Sequence, residues 1–192
     1  MKIQLYHGTT TENADRIMRE GFKDRVKAKR SNWTGKVKSM QGFIYLTTAY
    51  PFYFAQCSAK AGDKSASIIK VVVETHDLYP DEDYIRYANR NLETFNPDEI
   101  NLEDYKHAFD LSLKNLGCVA IKDSSFIGLV GRKDFDWHEM WQYSDPSISP
   151  MNYAILGNYY RELTDKWWNG EDWKSVKQFP VDQFGLQLKN QL

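Results

Sequence analysis

Short apolar runs alternate along this chain with stretches of helical period, and glycine, proline or threonine marks the boundaries between them. Ile3-Gln4-Leu5-Tyr6-His7 predicts a first strand. Thr9-x-x-Glu12 has the form of a capping box. A helix is therefore expected to about Glu20, with Ala14, Ile17 and Met18 on one buried face. Gly21 suits a left-handed stop, after which Phe22 returns the chain to the core. Residues 23–41 are polar and predict a loop, and residues 42–48 a second apolar strand. Pro51 marks the start of a helix that runs through Ala55, Ala59 and Ala61 to about Gly62. The β-branched run 66–75 predicts a central strand, Leu78-Tyr79-Pro80-Asp81 a turn, and Asp83–Asn91 a short helix. A longer helix is expected over Glu103–Asn115, its apolar stripe formed by Tyr105, Ala108, Phe109, Leu111 and Leu113. Residues 117–121 predict another buried strand, and Phe126–Val130 continue the sheet. Ser149-Pro150 reads as an N-cap and first-turn proline for a helix carrying Tyr153, Tyr160, Leu163 and Trp167, which Asn169-Gly170 ends. The order of elements is α+β. It lacks the regular strand–helix alternation of a doubly wound sheet.

Composition narrows the class. A length of 192 residues suits one domain, read as a core over 1–135 and an aromatic-rich helical extension over 136–192. The net charge of −1 argues against a protein that coats nucleic acid over its whole surface. Charge is local instead: residues 23–38 hold seven basic residues and one acid, Asp24. That stretch reads either as a solvated loop or as a lid over an anionic ligand, with Lys29 and Arg30 meeting phosphates and Trp33 stacking on a base. Five of the six tryptophans lie from Trp137 onward. They suit an aromatic face packed on the sheet or a target surface. Cys57 and Cys118 form no metal or redox motif, and His76, His107 and His138 are not at ligand spacing, so no metal is expected. No leader and no long apolar span is visible. A cytoplasmic protein that does not enter membranes is therefore expected. Neither common glycine-rich nucleotide loop occurs.

The chemistry concentrates in the first two strands. Leu5-Tyr6-His7-Gly8-Thr9 ends one strand with a histidine and a glycine, and a backbone without a side chain lets a ligand come close. Gly42-Phe43-Ile44-Tyr45-Leu46-Thr47 carries a tyrosine at the centre of the other. With the capped helix, Glu-Gly-Phe and the polar loop between them, these motifs resemble the ADP-ribosyltransferase superfamily. The likeness is to its histidine–tyrosine branch, which includes diphtheria-toxin-like and poly(ADP-ribose) polymerase-like enzymes. The resemblance is sharp over residues 3–55, weaker over 66–81 and 115–130, and absent beyond about 136. It implies a split β-sandwich with an NAD cleft, here with extra C-terminal helices. It implies that His7 bonds the adenosine-side ribose, that Gly8 offers its backbone to the carboxamide, and that Thr9 supports the turn or bonds a ribose. Tyr45 would stack on nicotinamide, with Tyr53 or Phe54 as a second aromatic.

The implied reaction breaks the glycosidic bond to nicotinamide and transfers ADP-ribose to a nucleophile, which calls for an acid near the ribose. The family usually places a glutamate just before a late strand, but here that position falls on Leu116 or Gly117. Asp123 and Glu139 are the substitutes considered, each of which also reads as an ordinary exposed carboxylate; Glu74 ranks below them. The expectation is an NAD-dependent mono-ADP-ribosyltransferase acting on a macromolecule, RNA or DNA slightly ahead of protein. Its compact size resembles bacterial toxin or phage-encoded members, and an antitoxin or inhibitor protein is among the partners such a role allows. Two alternatives stand beside it: an RNA 2′-phosphotransferase-like enzyme, and a non-catalytic adaptor that binds NAD or ADP-ribose.

Overall fold

The computed structural model describes residues 1–22, 39–59, 62–136 and 153–176. Its strands are β1 (Lys2–Thr10), β2 (Ile44–Thr47), β3 (Ser65–Glu74), β4 (Leu78–Pro80), β5 (Cys118–Ile121) and β6 (Gly128–Asp136). Its helices are α1 (Thr11–Glu20), α2 (Pro51–Ser58), α3 (Glu82–Asn89), α4 (Phe109–Leu116) and α5 (Tyr153–Asn169). The fold is α+β. The strands form one open antiparallel sheet in the order β4-β5-β2-β1-β3-β6.

The sheet is nearly divided in its middle. β1 pairs with β3 continuously from Lys2↔Glu74 to Thr10↔Ala66, and β2 pairs with β5 along its whole length. β1 and β2 meet at one register pair, Tyr6↔Thr47. Two three-stranded halves, β4-β5-β2 and β1-β3-β6, therefore join at a single point and part on either side of it.

Alternation along the strands sorts side chains to two faces. Leu5, Ile44, Leu46, Ile69, Val71 and Val73 pack under α1 against Ala14 and Ile17. Tyr6, Phe52, Ile68, Phe135 and Leu163 pack on the opposite face, under α2 and α5. Both faces of β3 are largely buried, which explains its mostly apolar sequence. Trp167 meets Phe52 and Phe135 edge-on at 5.1 and 6.1 Å, and Trp168 lies 5.7 Å from Tyr6, whose hydroxyl donates to Asp165 at 2.9 Å. The aromatic face of α5 is thus packed on the sheet. No helix among the described residues is long and apolar enough to cross a membrane.

Several local expectations change. Thr10, not Thr9, caps α1, accepting from the Asn13 N–H at 3.2 Å. β1 runs on to Thr10 in its ladder with β3, so Thr9 is still strand and is not the N-cap. Met18 is 39% exposed, because the buried arc of α1 holds only Ala14 and Ile17. Leu78-Tyr79-Pro80 is an edge strand rather than a turn, since proline at its end interrupts no ladder on the outer side. The segment after Asn101 begins as a 3₁₀ helix (Leu102–Ala108) and only then becomes α4. That change of period rotates the stripe: Leu102, Ala108, Ser112 and Leu116 are buried and Leu111 is exposed. The Ser149-Pro150 cap lies outside the described residues.

Candidate functional site

The junction between the two halves of the sheet is where the two sequence motifs meet. His7, on β1, holds the backbone carbonyl of Tyr45, on β2, through Nδ1 at 3.0 Å. A carbonyl only accepts, so a proton sits on Nδ1. The ring also lies edge-on to Phe22 at 5.1 Å, where the chain leaves α1. His7 pairs across the ladder with Ile69 and follows Leu5, so it belongs to the α1 face. Tyr45 pairs with Ala120 and sits with Phe43 and Tyr79 on the opposite face, toward α3. The two motifs are brought together through backbone, while their rings leave the sheet on opposite faces.

Gly8 has a different neighbour from the one expected. A Cβ there would stand 1.8 Å from the Pro51 carbonyl oxygen and 2.7 Å from the Ala55 nitrogen. The close approach that the missing side chain permits is taken by helix α2, which lies directly on β1. Thr9 is buried beside it. Thr47 fixes the other end of that arrangement: its hydroxyl donates to the Gly117 carbonyl at 2.8 Å and accepts the N–H groups of Ala49 and Tyr50 at 3.1 Å each. α2 therefore starts from a buried anchor at the end of β2. Of its two candidate aromatics, Tyr53 is the one directed at the α3 side. Burial first, then a hydrogen bond and charge interaction with Cys57 and the negative charge of Asp83, push its hydroxyl up to about 12. Phe54 packs edge-on to Tyr53 at 5.4 Å and against the core under α2.

The acids fall elsewhere than the sequence suggested. Gly117 stops α4 with φ 70° in the left-handed region, a conformation glycine adopts at little cost. Helix termination thus occupies the position where a glutamate would stand. Asp123 is fully exposed and caps the short Ser124–Phe126 turn, accepting from Ser125 N–H at 2.8 Å; those bonds hold its carboxyl below the usual range. It is a turn cap, not a member of this junction. Glu74 lies at the far end of β1, 3.1 Å from the N-terminal ammonium. Glu139, Lys29, Arg30 and Trp33 lie outside the described residues.

Two acids that the sequence did not single out lie against Tyr45. Its hydroxyl donates to Glu82 Oε2 at 2.6 Å and accepts the Met40 N–H at 2.9 Å. Burial, followed by the negative charges of Glu82 and Asp81, holds the Tyr45 proton in place far above the normal phenol range. Asp81 caps α3 through the Asp83 N–H at 2.9 Å, while its own N–H is held by Ser112 Oγ at 3.0 Å. Both carboxyls are buried and both are pushed upward, chiefly by desolvation. The signal available was only the acidic run after Pro80, which in sequence looks like any helix N-terminus.

These raised carboxyls make a pH prediction. At these two positions the native state holds protons that the unfolded chain has released above about pH 4, so their contribution to stability falls as pH rises toward neutrality. Asp81→Asn keeps the cap and removes the ionisation. It is expected to match wild type near pH 4 and to exceed it by more than about 1 kcal/mol at pH 8. Denaturant titration at the two pH values checks this, and equal pH slopes would contradict it.

Among the described residues, no three of histidine, cysteine, aspartate and glutamate gather closely enough to hold a metal ion. No family model, no curated protein and no solved structure matches the chain.

Proposed function

We propose that this protein is an NAD-dependent mono-ADP-ribosyltransferase of the histidine–tyrosine kind, built on an ADP-ribosyltransferase-like split sheet. One observation carries the reading. The strand ending in His7-Gly8-Thr9 and the strand centred on Tyr45 form the two lips of the split, and His7 Nδ1 bonds the Tyr45 carbonyl across it at 3.0 Å. The residues present suit a dinucleotide. His7, held by Nδ1 at that carbonyl, places an imidazole at the lip of the split, a group suited to a ribose hydroxyl. Tyr45, on the α3 side, offers an aromatic surface suited to a flat pyridine ring. The two rings on opposite faces fit an extended ligand that passes through the split, the adenosine end toward His7 and the nicotinamide end toward Tyr45.

NAD supplies an electrophilic ribose carbon when its bond to nicotinamide breaks. The chain's part is to bind both ends, orient the ribose for the incoming nucleophile and exclude water. The acceptor is a macromolecule. The basic stretch 23–38 favours RNA or DNA over protein, in a toxin or phage-conflict setting.

The test is incubation with NAD labelled in its adenylate, in parallel with total RNA, DNA and cell-lysate protein. Label on nucleic acid is the expected result. Label on protein alone would move the acceptor class. NAD bound but left intact would make the chain a binding adaptor, and neither binding nor transfer would overturn the reading.

A further inference from the structure

Glu82 is a buried carboxyl at this junction that helix formation alone does not call for. It is 3% exposed and stands at the first position of α3, where an exposed acid would serve the helix equally well. Hydrogen bonds, rather than a cation of its own, compensate its burial. Asp81 and Asp83 flank it, and Arg86, the cation acting on it, is itself paired with Asp83 at 3.2 Å. Burying a carboxyl without its own cation is costly, and acids kept in such positions concentrate at functional sites.

What Glu82 does there is geometrically plain. Oε2 takes the Tyr45 hydroxyl at 2.6 Å, and Oε1 takes the Met40 N–H at 3.3 Å. That same N–H also donates to the Tyr45 hydroxyl at 2.9 Å, so the three groups close a triangle. One carboxyl thus fixes the tilt of the Tyr45 ring and ties it to the backbone entering β2. Buried as it is, the carboxyl acts through the tyrosine.

We infer that Glu82 is a positioning residue for the proposed NAD site, holding Tyr45 and the Met40 backbone in the arrangement that receives nicotinamide. The inference rests on the transferase reading above. It assigns Glu82 no contact with the reacting atoms and does not make it a substitute for the absent glutamate at Gly117.

The test is steady-state kinetics of nicotinamide release for wild type, Glu82→Gln, Tyr45→Phe and the double variant. Tyr45 and Met40 use different carboxyl oxygens, and a glutamine puts an NH2 donor at one of those two positions, so it cannot reproduce both contacts in place. It is close in shape and keeps the fold testable. For Glu82→Gln, KM for NAD is expected to rise about tenfold with kcat within about threefold. Tyr45→Phe should do the same, and the double variant should be no worse than either single one. The Met40 amide should exchange with solvent faster in Glu82→Gln than in wild type. Unchanged KM, additive losses, or a kcat loss of about 100-fold at constant KM would each overturn the inference. The last would mean that Glu82 meets the substrate itself. A wild type that neither binds nor cleaves NAD removes the transferase reading and this role together, whereas an active wild type beside an unaffected Glu82→Gln removes this role alone.

Discussion

Gly8→Ala is expected to destabilise the protein by about 3 kcal/mol, the upper end of overpacking costs. The reason lies in backbone rather than in a ligand. The added methyl would stand 1.8 Å from the Pro51 carbonyl oxygen and 2.7 Å from the Ala55 nitrogen, and neither atom is the end of a flexible side chain. Relief requires α2 to lift from β1. α2 is held at its start by Thr47, Ala49 and Tyr50 and on its buried side by Phe52 and Ala55. Gly8 itself sits in regular ladder with Ile68, so the substitution adds no strain of the left-handed kind, and its cost is a direct measure of the helix-on-strand contact. A thermal midpoint lower by about 10 °C is the expected reading. A midpoint within about 2 °C of wild type would show that α2 does not lie on β1 as described.

His7 separates a structural from a functional contribution. His7→Ala removes the bond from Nδ1 to the Tyr45 carbonyl, and with it a tie across a junction that has one register pair. About 1 kcal/mol of stability should be lost. His7→Asn places an amide N–H where Nδ1 stood, so the tie to Tyr45 and the stability should return. It supplies no second ring nitrogen beyond. Under the proposed function, both variants lose nicotinamide release by about 100-fold, because the ribose is no longer held in register. Recovery of activity in His7→Asn along with stability would show that His7 serves only to join the two halves of the sheet.

The parts of the fold that sequence exposed are those encoded locally. β1, α1, β2 and α2 announce themselves through Gly21, Pro51 and the apolar runs, because a turn or cap is decided by a few adjacent residues. The shift of the cap from Thr9 to Thr10 was hidden because three threonines in succession can each cap, and only the length of the β1–β3 ladder chooses among them. Leu111 was misplaced for a related reason: a 3₁₀ start and an α continuation have different periods, and one stripe cannot describe both. The site was legible as far as His7 and Tyr45, whose strands carry their own motifs. Its acids were not. Glu82 is 37 residues from Tyr45 in the chain, and a buried carboxyl at a helix start is written with the same letters as an exposed one. Gly117 was noticed as a missing acid. Its positive φ supplies the reason: the chain needs a helix stop there.

The most direct test of the central claim is release of nicotinamide from NAD by the purified protein, compared between wild type and His7→Asn at matched thermal stability. Release by wild type and release about 100-fold slower by the variant is the result predicted from a ribose-binding His7 at the split. Equal release by both, or no binding and no release by wild type, would contradict an NAD site at this junction.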